Sequence, residues 1–202
     1  MTSIIKSKDF KEMIYLILQK PYTESLFQKD LEKVRSITLQ SSKLSGEKTD
    51  IILSEIALCE NIEDLLICGF EIDEDFLDVI NELSKLKVLQ FSECTFFSQK
   101  KLRTFMNMLV LDRCENLGIA VGNSRKIRII GQNRSLIDLN DLGELNNVEE
   151  LYLNSLDIFN ISKVRELSGL RMLDLSGSSI DDADSIAQLP IKTKLSTKYL
   201  IS

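Results

Sequence analysis

Apolar positions recur along this chain in one short phrase, clearest between Val148 and Ile180. Val148-Glu-Glu-Leu151-Tyr-Leu153-Asn-Ser-Leu156-Asp-Ile158 is followed by Leu170-Arg-Met-Leu173-Asp-Leu175-Ser-Gly-Ser178-Ser-Ile180, with aliphatic residues at positions 1, 4, 6 and 11 of both copies. The apolar pair at 4 and 6, with mostly polar residues around it, has the two-residue period of a half-buried strand. Earlier copies start at Val34, Ile62, Leu86 and Met106, and a degenerate one at Ser124 is centred on Ile127 and Ile129. A worn terminal copy falls at Lys192 to Leu200.

This is the leucine-rich repeat phrase L-x-x-L-x-L-x-x-N/C-x-L. It predicts an α/β solenoid, with a curved parallel sheet on the concave face and helices or short turns on the convex face. Anchors at 34, 62, 86, 106, 124, 148 and 170 give steps of 28, 24, 20, 18, 24 and 22 residues. The 18-residue step is below the usual range, so an extra strand or a misplaced loop within Asn116 to Asn123 is the alternative in that region. The long early steps have room for helices at Thr49 to Cys59 and Asp75 to Leu83, whose apolar residues follow a 3.6-residue period. Tighter spacers such as Asp157 to Gly169 have room only for a turn or a short 3-10 segment.

Before the repeats, Phe10, Met13, Ile14, Ile17 and Leu18 mark an amphipathic helix over Asp9 to Gln19, which Lys20-Pro21 ends. A second helix is expected from Ser25 to Lys33, with Ser25 and Gln28 as a capping box and Leu26, Phe27 and Leu31 turned inward. Residues 1–33 are therefore read as a helical cap over the open edge of the stack. Residues 34–202 are read as repeats, in one continuous domain with the cap.

Composition narrows the function. The chain has 202 residues, is 44% hydrophobic and carries a net charge of -6, so no global basic field draws it to nucleic acid or anionic lipid. Charges interrupt the N-terminus before any signal-peptide run, and no apolar stretch reaches membrane-spanning length. The expectation is a cytoplasmic protein, or a secreted or cell-surface one if a signal peptide has been removed. There is no histidine, which removes the commonest general base and most zinc ligand sets. Cys59, Cys68, Cys94 and Cys114 form no C-x-x-C pair and read as reduced, buried thiols. No cofactor, metal or catalytic residue is expected. An enzyme using Cys68 or clustered carboxylates is the weakest alternative, because Cys68 has no base beside it.

The segment Lys20 to Val34 leading into Ile37-Thr-Leu39, and Leu142 to Leu153 leading into Leu170 to Ile180, resemble bacterial leucine-rich repeat proteins of the internalin-like kind. That resemblance implies a concave face that grips another protein, and many such proteins are exported. The chain departs from the family at position 9, where ladder asparagines are replaced by Ser42, Phe70, Cys94, Cys114, Leu156 and Ser178. Ser and Cys can take over the asparagine's hydrogen bonds weakly, whereas Phe and Leu cannot. Less regular curvature than in a consensus array is the expected result.

Positions 3, 5, 7 and 8 should face the concave side. Position 5 reads Thr38, Leu66, Gln90, Val110, Arg128, Tyr152, Asp174, and position 7 reads Gln40, Cys68, Ser92, Asp112, Ile130, Asn154, Ser176. Exposed Val110 and Ile130 beside Arg128 and Tyr152 suggest a partner-binding patch of Asp112, Arg128, Ile130, Tyr152 and Asp174, since Tyr and Arg are enriched at interface hot spots. The alternative is ordinary solvated strand positions, with Tyr152 lying flat on its neighbours. Arg125-Lys126-x-Arg128 is expected to be ion-paired to Glu149, Glu150 and Asp112 rather than to bind nucleic acid. Asp73-Glu-Asp75 and Asp181-Asp-x-Asp184 lack a calcium loop and are read as charge at helix starts.

The expected function is a non-enzymatic interaction module holding a protein or peptide partner. Neither nucleic acid nor membrane insertion is expected, and a monomer is the starting state. A self-assembling structural solenoid without a separate partner is the alternative.

Overall fold

The computed structural model describes residues 4–44, 49–98, 101–117, 121, 124–143, 145–189, 194–196 and 200–201. Each repeat phrase forms a strand that starts at or before position 3 and, through the sixth repeat, runs to position 7 or beyond, and these strands pair in parallel. In chain order the first are β1 (Ser36–Gln40), β2 (Asp64–Cys68), β3 (Glu71–Ile72), β4 (Val88–Ser92), β5 (Thr95–Phe96) and β6 (Met106–Asp112). They are followed by β7 (Ser124–Asp138), β8 (Glu150–Phe159), β9 (Met172–Asp174), β10 (Ser179–Ile180), β11 (Lys194–Ser196) and β12 (Leu200–Ile201). The sheet runs β1-β2-β4-β6-β7-β8, then through β9 to β11 and through β10 to β12, while β3 and β5 pair beside it.

The register is the one the phrase predicts. Ile37, Leu65, Leu89, Leu109, Ile127, Leu151, Leu173 and Leu195 are successive Cα partners. The 18-residue step is real: β6 pairs directly with β7 from Met106↔Ser124 onward, with no strand between them. The worn copy at Lys192 to Leu200 also supplies strands, with Leu195 opposite Leu173. Positions 4 and 6 form two sealed columns, from Ile37 and Leu39 to Leu173 and Leu175, each residue no more than 2% exposed. Parallel strands stacked in register put identical positions side by side, so one pattern builds one continuous core.

Position 8 turns the chain in most repeats by taking a left-handed conformation, at Gly69 (φ 73°), Glu93 (55°), Arg113 (51°), Ser155 (57°) and Gly177 (75°), and Arg134 (58°) does so three residues later in the fifth. Four of these are not glycine, so the stacked strands on either side hold a conformation that L-residues resist. In the fifth repeat the turn falls at Arg134 rather than Gly131. Ile130 pairs with Asn154 and Ser135 with Leu156, so the four residues Gly131 to Arg134 stand opposite Ser155 alone. This β-bulge is why the short fourth step is followed by a longer fifth one.

Helices thin along the chain as the spacers predict. α1 (Lys8–Leu18) buries Phe10, Ile14 and Tyr15, and its first turn is capped by the Ser7 hydroxyl, which accepts from Phe10 N–H at 3.0 Å. α2 (Gln28–Leu31) is a single turn, shorter than the Ser25–Lys33 helix expected. Its entry is closed by Asp30, whose carboxylate accepts Phe27 N–H at 3.1 Å, so the Ser25/Gln28 box is not used. Phe27 faces solvent, 47% exposed, while Leu26 and Leu31 are buried as predicted. α3 (Thr49–Ile56) and α4 (Glu74–Glu82) occupy the long early spacers, and 3-10 turns at Leu139–Leu142 and Ile161–Glu166 fill the later ones. α5 (Ala183–Ala187) follows the last clear copy.

The N-terminal helices are tied to the first repeats by polar contacts as well as apolar ones. The buried carboxylate of Glu55 on α3 accepts the backbone N–H groups of Lys6 and Ser7 (2.8 Å for Ser7). Gln28 donates to the Leu58 carbonyl at 3.1 Å, and Asn61 donates to the Glu32 carbonyl at 2.8 Å.

Candidate functional site

Odd positions of each strand project from the sheet face opposite the sealed columns. Val110, Arg128, Tyr152 and Asp174 are consecutive partners along position 5, and Asp112, Ile130 and Asn154 along position 7. The fold therefore gathers Asp112, Arg128, Ile130, Tyr152 and Asp174 onto four adjacent strands. Val110 departs from expectation: it is 6% exposed, so it forms a floor between Gln90 and Arg128 rather than an apolar contact surface. Ile130 is half-buried.

Tyr152 is the centre of the polar arrangement. The Arg128 guanidinium carbon lies 4.8 Å from its ring centroid and Lys126 Nζ 5.0 Å from it, both within cation–π range. The Tyr152 hydroxyl donates to Glu150 at 2.8 Å, and Glu150 also pairs with Lys126 at 2.8 Å. Lys126 holds the Glu150 carboxyl below its ordinary range, and Glu150 in turn raises the Lys126 ammonium. Burial, then the bond to Glu150, pushes the Tyr152 phenol up. Tyr152 thus lies against its neighbours, held by the Lys126–Glu150 pair, which the sequence places in an ion-paired surface but not in the patch. Their signal was present as opposite charges at position 3 of adjacent repeats.

The carboxylates are occupied. Asp112 accepts from Ser92 Oγ and from Arg113, both at 3.2 Å, and Asp174 accepts from the backbone N–H of Ser176 at 2.9 Å and from its hydroxyl. Arg128 differs. No carboxylate among the described residues pairs with it, and its Nε is sealed from solvent without an acceptor.

The other charged groups take the roles expected for a structural surface. Arg125 pairs with Glu149 at 3.0 Å, and Glu149 also meets Arg171 at 3.5 Å. Asp112 turns to Arg113 rather than to the basic run. Asp73 caps α4 through Phe76 N–H at 2.9 Å, Asp182 caps α5 through Ser185 N–H at 3.2 Å, and Asp181 accepts from Asn160 and Ile161. At the ladder position, Cys94 donates to the Ile67 and Ser92 carbonyls at 3.4 Å. Ser178 donates to the Leu153 carbonyl at 2.8 Å and accepts Leu156 N–H at 3.0 Å. Phe70 instead stacks edge-on against Phe76, with centroids 5.8 Å apart. Cys59, Cys94 and Cys114 are buried, and Cys68 is half-buried at position 7. Among the described residues no helix is long and apolar enough to cross a membrane.

The sequence matches no protein-family model, and no curated protein matches it. The fold is similar to that of solved Listeria monocytogenes proteins. One is an internalin (inlF), with TM-score 0.65 and 19% identity, covering 96% of this chain. This chain spans 56% of that protein's length. Another is an internalin C2, with TM-score 0.57 and 17% identity, covering 98% of this chain and 95% of the other. With the in-register columns above, these similarities show that the chain folds as a leucine-rich repeat solenoid of the internalin type.

Proposed function

We propose that the chain is a non-enzymatic interaction module that holds a protein or peptide on the open sheet face. The contact is centred on Asp112, Arg128, Ile130, Tyr152 and Asp174, and residues 1–33 close the leading edge of the stack. The observation that carries this reading is the state of Arg128. It is stacked on Tyr152 in the middle of a solvent-reached strand row, yet it lacks the carboxylate that nearly every other charge nearby has found. Rigid aromatic and Arg side chains on a regular scaffold make contact area at low entropic cost, and truncating such anchors costs about 2 kcal/mol or more of binding. The fold alone does not assign this work, because one solenoid architecture serves many functions.

The test compares the wild-type chain with an Arg128→Glu/Tyr152→Ala double variant, both shown folded by circular dichroism, in capture from a lysate of the source organism. A protein retained by the wild type and lost by the variant supports the reading. Equal retention moves the contact off this face. Self-assembly is the reading that survives if light scattering shows concentration-dependent oligomers and neither form captures anything.

A further inference from the structure

Resting on that binding face, we propose that Arg128 is the receptor for a side-chain carboxylate, and that the partner segment is an extended peptide carrying an Asp or Glu beside aliphatic residues. Three observations support it. The Arg128 Nε is closed off from water with no acceptor, and the terminal nitrogens also lack any hydrogen bond to the described residues. An orphaned donor on a cation is costly, and in folded proteins such a group calls for an explanation. The guanidinium also packs over the Tyr152 ring, 4.8 Å from its centroid, and Tyr152 is itself tied to Glu150. A planar fork matches the two oxygens of a carboxylate.

The surroundings permit an acid to approach. Lys126, Arg128 and Arg113 stand against Asp112, Glu150 and Asp174, so formal charges cancel locally despite the acidic chain. Asp112, Glu150 and Asp174 turn to Arg113, Lys126 and Ser176 rather than to Arg128. An incoming carboxylate supplies the partner that none of the described carboxylates gives Arg128. On the β6 side of Arg128 and next to it along β7 the face also offers apolar surface, with half-buried Met108 and Ile130 and the floor of Val110. That surface fits aliphatic side chains flanking the acid.

The test is selection from a random peptide library displayed without free C-termini, so that only side-chain acids can answer. Wild type, Arg128→Gln, Arg128→Lys and Arg128→Glu are used as bait after circular dichroism confirms folding. Wild type should enrich peptides with one Asp or Glu next to aliphatic residues. Their affinity should fall on the order of tenfold or more with Arg128→Gln, as for loss of one member of a desolvated charge pair. Arg128→Lys should retain part of it, and Arg128→Glu should select Lys or Arg peptides instead. That switch is a readout that a merely structural role for Arg128 would not produce.

Acid-free peptides whose binding disappears with Tyr152→Ala would overturn the carboxylate assignment and leave the face as the binding site. Acidic peptides that bind Arg128→Gln as well as wild type would overturn it too, as would the absence of any enrichment. Should Arg128→Gln fail to fold, the Lys and Glu variants decide the matter.

Discussion

A Cβ placed on Gly131 would lie 2.4 Å from the carbonyl oxygen of Ser155 and 2.7 Å from a methyl of Leu156. The bulge of the fifth repeat is therefore pressed against the turn of the sixth, and its first residue has no room for a side chain. Gly131→Ala must move backbone, and overpacking of this kind costs about 1–3 kcal/mol. The melting temperature should fall by about 2–4 °C for each kcal/mol in a chain of this size. Gly169→Ala is the control, since its nearest new contact is an ordinary 3.6 Å to the Val148 carbonyl. Thermal melts followed by circular dichroism should separate the two, and equal melting temperatures would refute the close approach.

Ser178 stands in for a ladder asparagine by serving two buried backbone groups at once. Ser178→Ala leaves the Leu153 carbonyl and the Leu156 N–H without that partner, at a cost of about 1–3 kcal/mol. Urea titration should show a lower midpoint with an unchanged slope. A midpoint equal to wild type would mean that the ladder is not held through this hydroxyl.

Asp30 is 5% exposed and meets Lys20 at 2.8 Å, Phe27 N–H at 3.1 Å and Lys33 at 3.3 Å. The bond from Lys20, aided by the Phe27 amide, lowers its carboxyl from 3.8 to about 2. Because the folded state titrates below the unfolded one, the stabilisation is complete above about pH 4 and is lost as pH falls toward 2. A shift of this size corresponds to about 2 kcal/mol. Asp30→Asn should lower stability by roughly that amount at pH 6 and by far less at pH 2.5. Denaturant midpoints at the two pH values provide the check, and a loss that does not depend on pH would contradict the pairing.

Among the four thiols, Cys68 is the only one not buried. Burial pushes Cys59 up to about 12, so it is doubly protected. A maleimide pulse on native protein should modify Cys68 first, with Cys59, Cys94 and Cys114 labelled only after denaturant is added. Peptide mapping by mass spectrometry reads the order. Early labelling of Cys94 would mean that the third repeat opens locally.

Much of the fold was legible because a solenoid repeats one local instruction. Leu151 and Leu173 fixed the period, and partners one repeat apart in sequence became partners in space, including the short step at Ser124. The capping aspartates at 73 and 182 were readable for the same local reason. The second helix was misread because helix period and capping letters over Ser25 to Lys33 were outweighed by one tertiary contact. Lys20 draws Asp30 into the cap, so the turn begins at Phe27. Val110 lies deeper than its strand position suggests, because a position on a strand gives direction but not depth.

Of the proposed binding face, the sequence supplied the row of residues: Arg128 between Val110 and Tyr152, with Asp112 and Ile130 beside it. It could not supply their pairing, since Glu150 could as well have reached Arg128 as Lys126. That choice depends on side-chain geometry across strands whose spacing only the assembled sheet defines. The sequence by itself determined the repeat, its register and the faces of each strand, because these follow from periodicity along the chain. Only the tertiary structure decided that no carboxylate among the described residues pairs with Arg128, because that depends on how neighbouring side chains divide their hydrogen bonds.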